Sequence, residues 1–406
     1  MVHTVADLHE SIIQQWPFAE KAVGVEASII REVLKMSTRP GLVNFAGGLP
    51  APELFPETDL KLACERAFDK YGPVMLQYSL TAGVAELREL IAERMSTHTS
   101  LGFTADNIVV TTGSQQGLDL IGRAFINPGD YIFTERPTYL GALQAFNFYE
   151  AKYCTAELEE DGVNIAEAEE QIKKYNPKLM YVVPNFQNPA GLTTSAEKRQ
   201  ALVDLAKKYQ IPIIDDNPYG ELRYSGTKEP SLKELGGNAV IQLGTFSKTV
   251  SPGLRIGFLA ACPEVMGTIE KVKQSTDLHT PTFPQYVLVE YLRSGRLDGY
   301  HIPLLCEEYR KRRDLMFEMM DNEFPDNVTF TRPEGGLFLW ITLPETVSSS
   351  DFLNTAVEAG VVYVPGKPFF PNGDRDCNLR LNFCNATHEK IREGIKRLAG
   401  VFHDKL

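Results

Sequence analysis

No apolar run in these 406 residues approaches the length that a membrane-spanning helix requires, so no membrane partner is expected. The opening stretch, MVHTVADLHESIIQQWPF, lacks the basic region and apolar core of a secretory signal. A cytoplasmic location is the expectation. Basic residues are in the minority: 41 Lys and Arg stand against 53 Asp and Glu, for a net charge of −12. Such a balance argues against nucleic acid as a partner, although a local basic patch could still hold one small anion. The cysteines, Cys64, Cys154, Cys262, Cys306, Cys377 and Cys384, never form a C-x-x-C pair. That removes zinc ribbons and redox dithiols from consideration, and no metal site is expected. The thiols are expected to be reduced and mostly buried. No internal repeat and no low-complexity segment is present.

What is there is ordinary for a globular chain: 43% hydrophobic and 23% charged residues, enough for a large core and more than one folding unit. The middle of the chain alternates two kinds of segment. Strand candidates are NIVVTT (107–112), YIFTE (131–135), AKYCTAE (151–157), LMYVVP (179–184), IPIIDD (211–216), AVIQLG (239–244) and RIGFLAA (255–261). Most are short, β-branched and non-alternating, which suits strands covered on both faces. Helical stretches lie between most of them, such as SAEKRQALVDLAKKYQ, where Ser195 is a candidate cap. This pattern predicts a doubly wound α/β domain. Between residues 244 and 255 only ten residues intervene, too few for a crossover helix. The last two strands should therefore be antiparallel if adjacent, which predicts a mixed seven-stranded sheet. Past about residue 285 the pattern changes to a smaller α+β unit. The expected organisation is an arm and part of the small domain in 1–50, a large domain in 51–290 and a small C-terminal domain in 291–406.

In open α/β sheets, ligands bind beyond the carboxyl ends of the strands. Six of the seven segments bring residues to that edge, most of them polar. They are Gly113, Ser114 and Gln115 after the first strand, Tyr139 after the second and Asn188 after the fourth. Asp215, Asp216 and Tyr219 follow the fifth, and Thr245, Ser247 and Lys248 the sixth. Arg255 opens the reversed seventh strand at the same edge. Each has a plain alternative: Ser114 as a helix cap, Asn188 and the aspartates as turn residues, Lys248 as a solvated loop residue. Together they describe a phosphate cup, an aromatic, a carboxylate, a phenol and an amine made reactive by neighbouring cations. That set fits a pyridoxal phosphate (PLP) pocket.

Longer stretches carry a family resemblance: SIIREVLK, FAGGLPAPELFP, QYSLTAGVAELR, TTGSQQGLDL, NFQNPAG, DDNPYGELRY, TFSKTVSPGLR, DLHTP, RPEGGLFLW and LRLNF. The chain resembles the fold-type I, class I/II PLP-dependent aminotransferases. Within them it is similar to the branch acting on 2-aminoadipate and kynurenine. The resemblance implies a large PLP-binding domain with a smaller α+β domain, and a homodimer with shared active sites. It implies that Lys248 holds the cofactor covalently and then shuttles protons. Asp216 would pair with the ring nitrogen, while Tyr219 and Asn188 would hydrogen-bond the ring oxygen. Tyr139 would stack on the ring. Ser114, Gln115, Thr245, Ser247 and Arg255 would surround the phosphate, with Tyr78 reaching it from the partner subunit. Arg380 would bind the substrate α-carboxylate, and Gly47 and Gly48 would line the substrate entrance. Arg31 resembles an arginine that some 2-aminoadipate enzymes use for a distal carboxylate; a solvated helix residue is the alternative. Ala190 stands where many relatives carry threonine. The implied activity is amino transfer from an α-amino acid (2-aminoadipate, aromatic or aliphatic) to a 2-oxo acid such as 2-oxoglutarate, in ping-pong order. A PLP-dependent lyase or decarboxylase on the same fold is the alternative. A PLP-binding regulator is disfavoured, because the stretch before FAGGLP leaves no room for a helix-turn-helix domain.

Overall fold

The computed structural model describes residues 17–23 and 41–406. Its first strand, β1 (Val43–Asn44), belongs to the smaller of two regions and precedes the main sheet. The main sheet is built from β2 (Ile108–Thr111), β3 (Tyr131–Arg136), β4 (Lys152–Glu159), β5 (Gly162–Val163), β6 (Met180–Val182), β7 (Ile213–Asp216), β8 (Val240–Thr245) and β9 (Gly257–Ala260). The spatial order is β2-β9-β8-β7-β6-β3-β4-β5. Strands β3, β4, β6, β7 and β8 pair in parallel, whereas β9 runs antiparallel to both β8 and β2. The hairpin expected from the short 244–255 connection is present.

The sheet has eight strands rather than seven. The extra one, β5, folds back on the end of β4, pairing Leu158 with Val163 and Glu159 with Gly162. Gly162 sits at φ +122°, a conformation that side-chain-bearing residues rarely adopt, and this lets the chain reverse at once. Two residues cannot show a strand period, so nothing in the sequence announces it.

Strands β2, β6 and β7 are buried along their whole length, because helices cover both faces. On one face Leu118 and Ile121 of the helix Gly113–Phe125 pack with Leu243 and Leu259. On the other, Ile172, Val203 and Leu232 pack with Ile213 and Val240. Ser195 caps the helix Ala196–Tyr209, its hydroxyl accepting the Lys198 N–H at 3.3 Å.

The smaller region holds an antiparallel sheet in the order β10-β11-β14-β13: β10 (Thr329–Phe330), β11 (Phe338–Thr342), β13 (Val364–Pro365) and β14 (Asn378–Asn382). Strand β1 pairs in parallel with β12 (Val361–Val362). Helices Ile302–Glu323 and His388–Lys405 pack on each other beside these strands. The chain leaving β1 is stitched to this region, since Phe45 N–H donates to Val362 and Asn382 N–H donates to the Phe45 carbonyl. The glycines of FAGGLP are thereby carried to the carboxyl edge of the main sheet. Among the described residues, no helix is long and apolar enough to cross a membrane.

Candidate active site

The ends of β2, β3, β6, β7 and β8 reach one edge, and the start of β9 returns there. At the end of β2 the chain turns at Gly113, whose φ is +73°. The helix begins on that glycine and its N-cap is Thr112, so Ser114 lies inside the first turn rather than capping it. A Cβ on Gly113 would overlap the Arg255 guanidinium, and one on Gly257 would lie 2.7 Å from the Ser114 nitrogen. Bare backbone lets the helix start, the arginine and β9 converge. Arg255 itself sits at φ +54° and donates to the carbonyls of Thr112 (3.3 Å) and Pro252 (3.4 Å). Across the hairpin, the Thr245 and Ser247 hydroxyls lie 2.9 Å apart, and Thr245 Oγ1 also accepts the Ser247 N–H. Gln115 Nε2 donates to the Gly141 carbonyl at 2.9 Å, tying the helix start to the Tyr139 loop. A helix N-terminus, hydroxyls and a guanidinium meeting here form an anion cup.

Deeper in, Asp216 ends β7 and is buried. Its Oδ2 accepts the Tyr181 hydroxyl at 2.7 Å, while Oδ1 has no partner among the described residues. Burial pushes this carboxyl up to about 6, and the phenol donor opposes the rise. Asp215, the neighbouring strand residue, faces the opposite side of the sheet and experiences the charges of Arg199 and Lys233. The Tyr139 ring lies against Gly141, where a Cβ would overlap it. Burial, reinforced by the Asp216 charge, pushes the Tyr139 phenol up to about 12.

A hydrogen-bonded chain crosses from the main sheet to β14. Asn188 Nδ2 donates to the Tyr219 hydroxyl at 3.3 Å, and Asn188 Oδ1 accepts from Arg380 Nη1 at 2.8 Å. Arg380 Nη2 donates to the Ala46 carbonyl at 2.9 Å. Its guanidinium lies over Phe338, 4.1 Å from the ring centroid, and is 1% exposed. Its Nε has no partner among the described residues. Burial lowers this guanidinium to about 10. Lys248 Nζ donates to the Gly48 carbonyl at 2.8 Å, and Gly47 accepts from Asn382 Nδ2 at 2.5 Å. Burial first, then the charges of Arg380 and Arg255, bring the Lys248 amine down to about 8. A Cβ on Gly48 would come within 3.3 Å of Phe338, so the glycine keeps that strip close.

Two residues singled out in the sequence do not join this cluster. Tyr78 is 79% exposed and meets His279 edge-on at 5.7 Å. Arg31 lies outside the described residues. Other residues enter unannounced: Tyr181, Phe338, Gly141 and the Ala46 carbonyl. Tyr181 is the one polar-tipped side chain in LMYVVP, which was its only signal.

Comparison with known proteins agrees with this geometry. Residues 59–398 match the model of the family "Aminotransferase class I and II". The chain belongs to that family. Aromatic-amino-acid aminotransferase 1 of Thermococcus litoralis is 45% identical, covering 96% of this chain and 94% of its own. Among solved aminotransferases, the kynurenine aminotransferase of Pyrococcus horikoshii, in complex with PMP, superposes with a TM-score of 0.94. It is 42% identical and covers 98% of this chain and 99% of its own. The α-aminoadipate aminotransferase of Thermus thermophilus, complexed with N-(5'-phosphopyridoxyl)-L-leucine, gives a TM-score of 0.89. It is 38% identical and covers 95% of this chain and 97% of its own. The fold is therefore fold type I of the PLP aminotransferases.

Proposed function

We propose that this aminotransferase uses PLP to move an amino group between an α-amino acid and a 2-oxo acid, and that its rim residues divide the work as follows. The observation that carries the reading is a pair of buried polar atoms that find no partner among the described residues. They are the buried Asp216 Oδ1, which suits a protonated ring nitrogen, and the buried Arg380 Nε, which suits a substrate carboxylate. Bound PLP supplies an electron-accepting ring that makes the proton on the amino-bearing carbon removable. Ser114, Gln115, Thr245, Ser247 and Arg255 hold its phosphate. Tyr139 covers its ring, and Asn188 with Tyr219 holds its phenolic oxygen. Lys248 binds it covalently at rest. When released, Lys248 removes the proton from the substrate Cα; its lowered pKa supplies the neutral base at moderately alkaline pH. Arg380 and Gly48 orient the amino acid.

The donor is an aromatic amino acid or 2-aminoadipate, the classes named for the similar enzymes, and Arg31 is the candidate for a distal carboxylate. The acceptor is 2-oxoglutarate. The working form is a homodimer in which the partner subunit's Tyr78 completes the phosphate cup; its exposure in one protomer supports this. The test is a panel of aromatic, aliphatic and dicarboxylic donors with 2-oxoglutarate. Glutamate should form with at least one class. No glutamate from any donor would sink the proposal.

A further inference from the structure

Asp216 has an unusual environment for a carboxylate that must stay charged. It is 2% exposed and receives one side-chain hydrogen bond, from Tyr181, at 2.7 Å. Among the described residues, Oδ1 has no partner. Among them, two influences act on the ionisation of Asp216: burial, which raises it, and the Tyr181 donor, which lowers it. Burial disfavours the ionised form, and hydrogen bonding to that form favours it.

Tyr181 is placed to do this by strand pairing. It sits on β6 opposite Ile214 of β7, two residues before Asp216. It is fully buried, with the Phe146 ring edge-on at 5.8 Å. A ring held by packing and a backbone held by two neighbouring strands leave the hydroxyl little freedom. The hydrogen bond also decides which oxygen is spent: Oδ2 is taken, so Oδ1 is left for the pocket.

We propose that Tyr181 is a positioning residue for the cofactor, holding Asp216 ionised and turned so that Oδ1 meets the ring nitrogen. The proposal rests on the assignment of Asp216 to that nitrogen, so wild-type binding is measured first.

The experiment compares apo-protein of the wild type and Tyr181→Phe by equilibrium dialysis against PLP and against 1-deaza-PLP, which has carbon in place of the ring nitrogen. The substitution removes one donor to a charged acceptor, so PLP affinity should fall about 10- to 100-fold. Affinity for the deaza analogue should be the same in both proteins. In steady state, kcat should fall while the KM for the amino acid stays close to wild type, because Arg380 is untouched. In an Asp216→Asn background, Tyr181→Phe should add no further loss of PLP affinity. Unchanged PLP affinity, or an equal loss with the deaza analogue, overturns the proposal. A wild type that binds no PLP overturns instead the reading of the whole site. If Tyr181→Phe does not fold, 3-fluorotyrosine at position 181 keeps the shape and donates more strongly. It should raise PLP affinity, and no rise would equally overturn the proposal.

Discussion

Arg380 and Lys248 set the chemistry one residue at a time. A buried guanidinium with an unpartnered N–H is unfavourable by about 1–3 kcal/mol, and a planar carboxylate relieves it. The same charge, with Arg255, acts on Lys248. An ordinary lysine amine titrates near 10.5, and this one near 8, first because it is buried and then because two cations flank it. A lowered lysine pKa means that the neutral, nucleophilic form is present above about 8 rather than above 10.5. Apo-protein should therefore attach PLP at Lys248 at a rate that rises with pH and levels off above about 8. Borohydride trapping and mass spectrometry of the Lys248 peptide measure it. Arg380→Met removes one flanking charge without touching the phosphate cup and should move the midpoint upward. A wild-type rate still climbing through pH 10 would contradict the account.

At the scale of elements, the cup depends on a helix that starts on a glycine. Gly113→Ala would place a Cβ at φ +73° and into the Arg255 guanidinium. It should cost about 1 kcal/mol or more in backbone strain and also displace the arginine. Gly129 is a fair control: its φ is +86°, and an added Cβ meets nothing within 4 Å. Both alanine variants should melt earlier than wild type, but only Gly113→Ala should weaken PLP binding. Equal PLP affinity in the two variants would mean that the cup does not need this close approach. The same turn marks a limit of reading the sequence. A serine before an apolar helical period looks like a cap, yet the positive φ at Gly113 starts the helix two residues earlier and makes Thr112 the N-cap. Seven strands were legible because strands covered on both faces leave unbroken apolar runs, and the hairpin followed from its loop length. Strand β5 was not, being two residues long. The convergence of Asp216, Tyr219, Asn188, Lys248 and Arg255 was legible because strand ends share an edge. The Tyr181 hydrogen bond was not, since it depends on β6 lying beside β7 in a particular register.

At the scale of the whole molecule, Val74, Leu76, Tyr78 and Leu80 are each more than half exposed on one short stretch, with Leu278 also exposed nearby beside His279. An apolar ridge of this kind marks an association surface. In a two-fold dimer the same patch serves both subunits, so a residue on it can reach across. If the partner subunit's Tyr78 supplies each cup, two defective variants should repair one another. Tyr78→Ala dimers lack the tyrosine at both sites, and Lys248→Ala dimers lack the amine at both. A mixed dimer brings an intact Lys248 together with the partner's intact Tyr78 at one of its two sites. Unfolding and refolding an equimolar mixture gives about half mixed dimers, so about a quarter of all sites should be complete. Transaminase activity per subunit should rise above the mean of the separate variants toward that fraction. Activity that stays at the mean, with mixed dimers shown by native mass spectrometry, would place Tyr78 at its own subunit's site or at none.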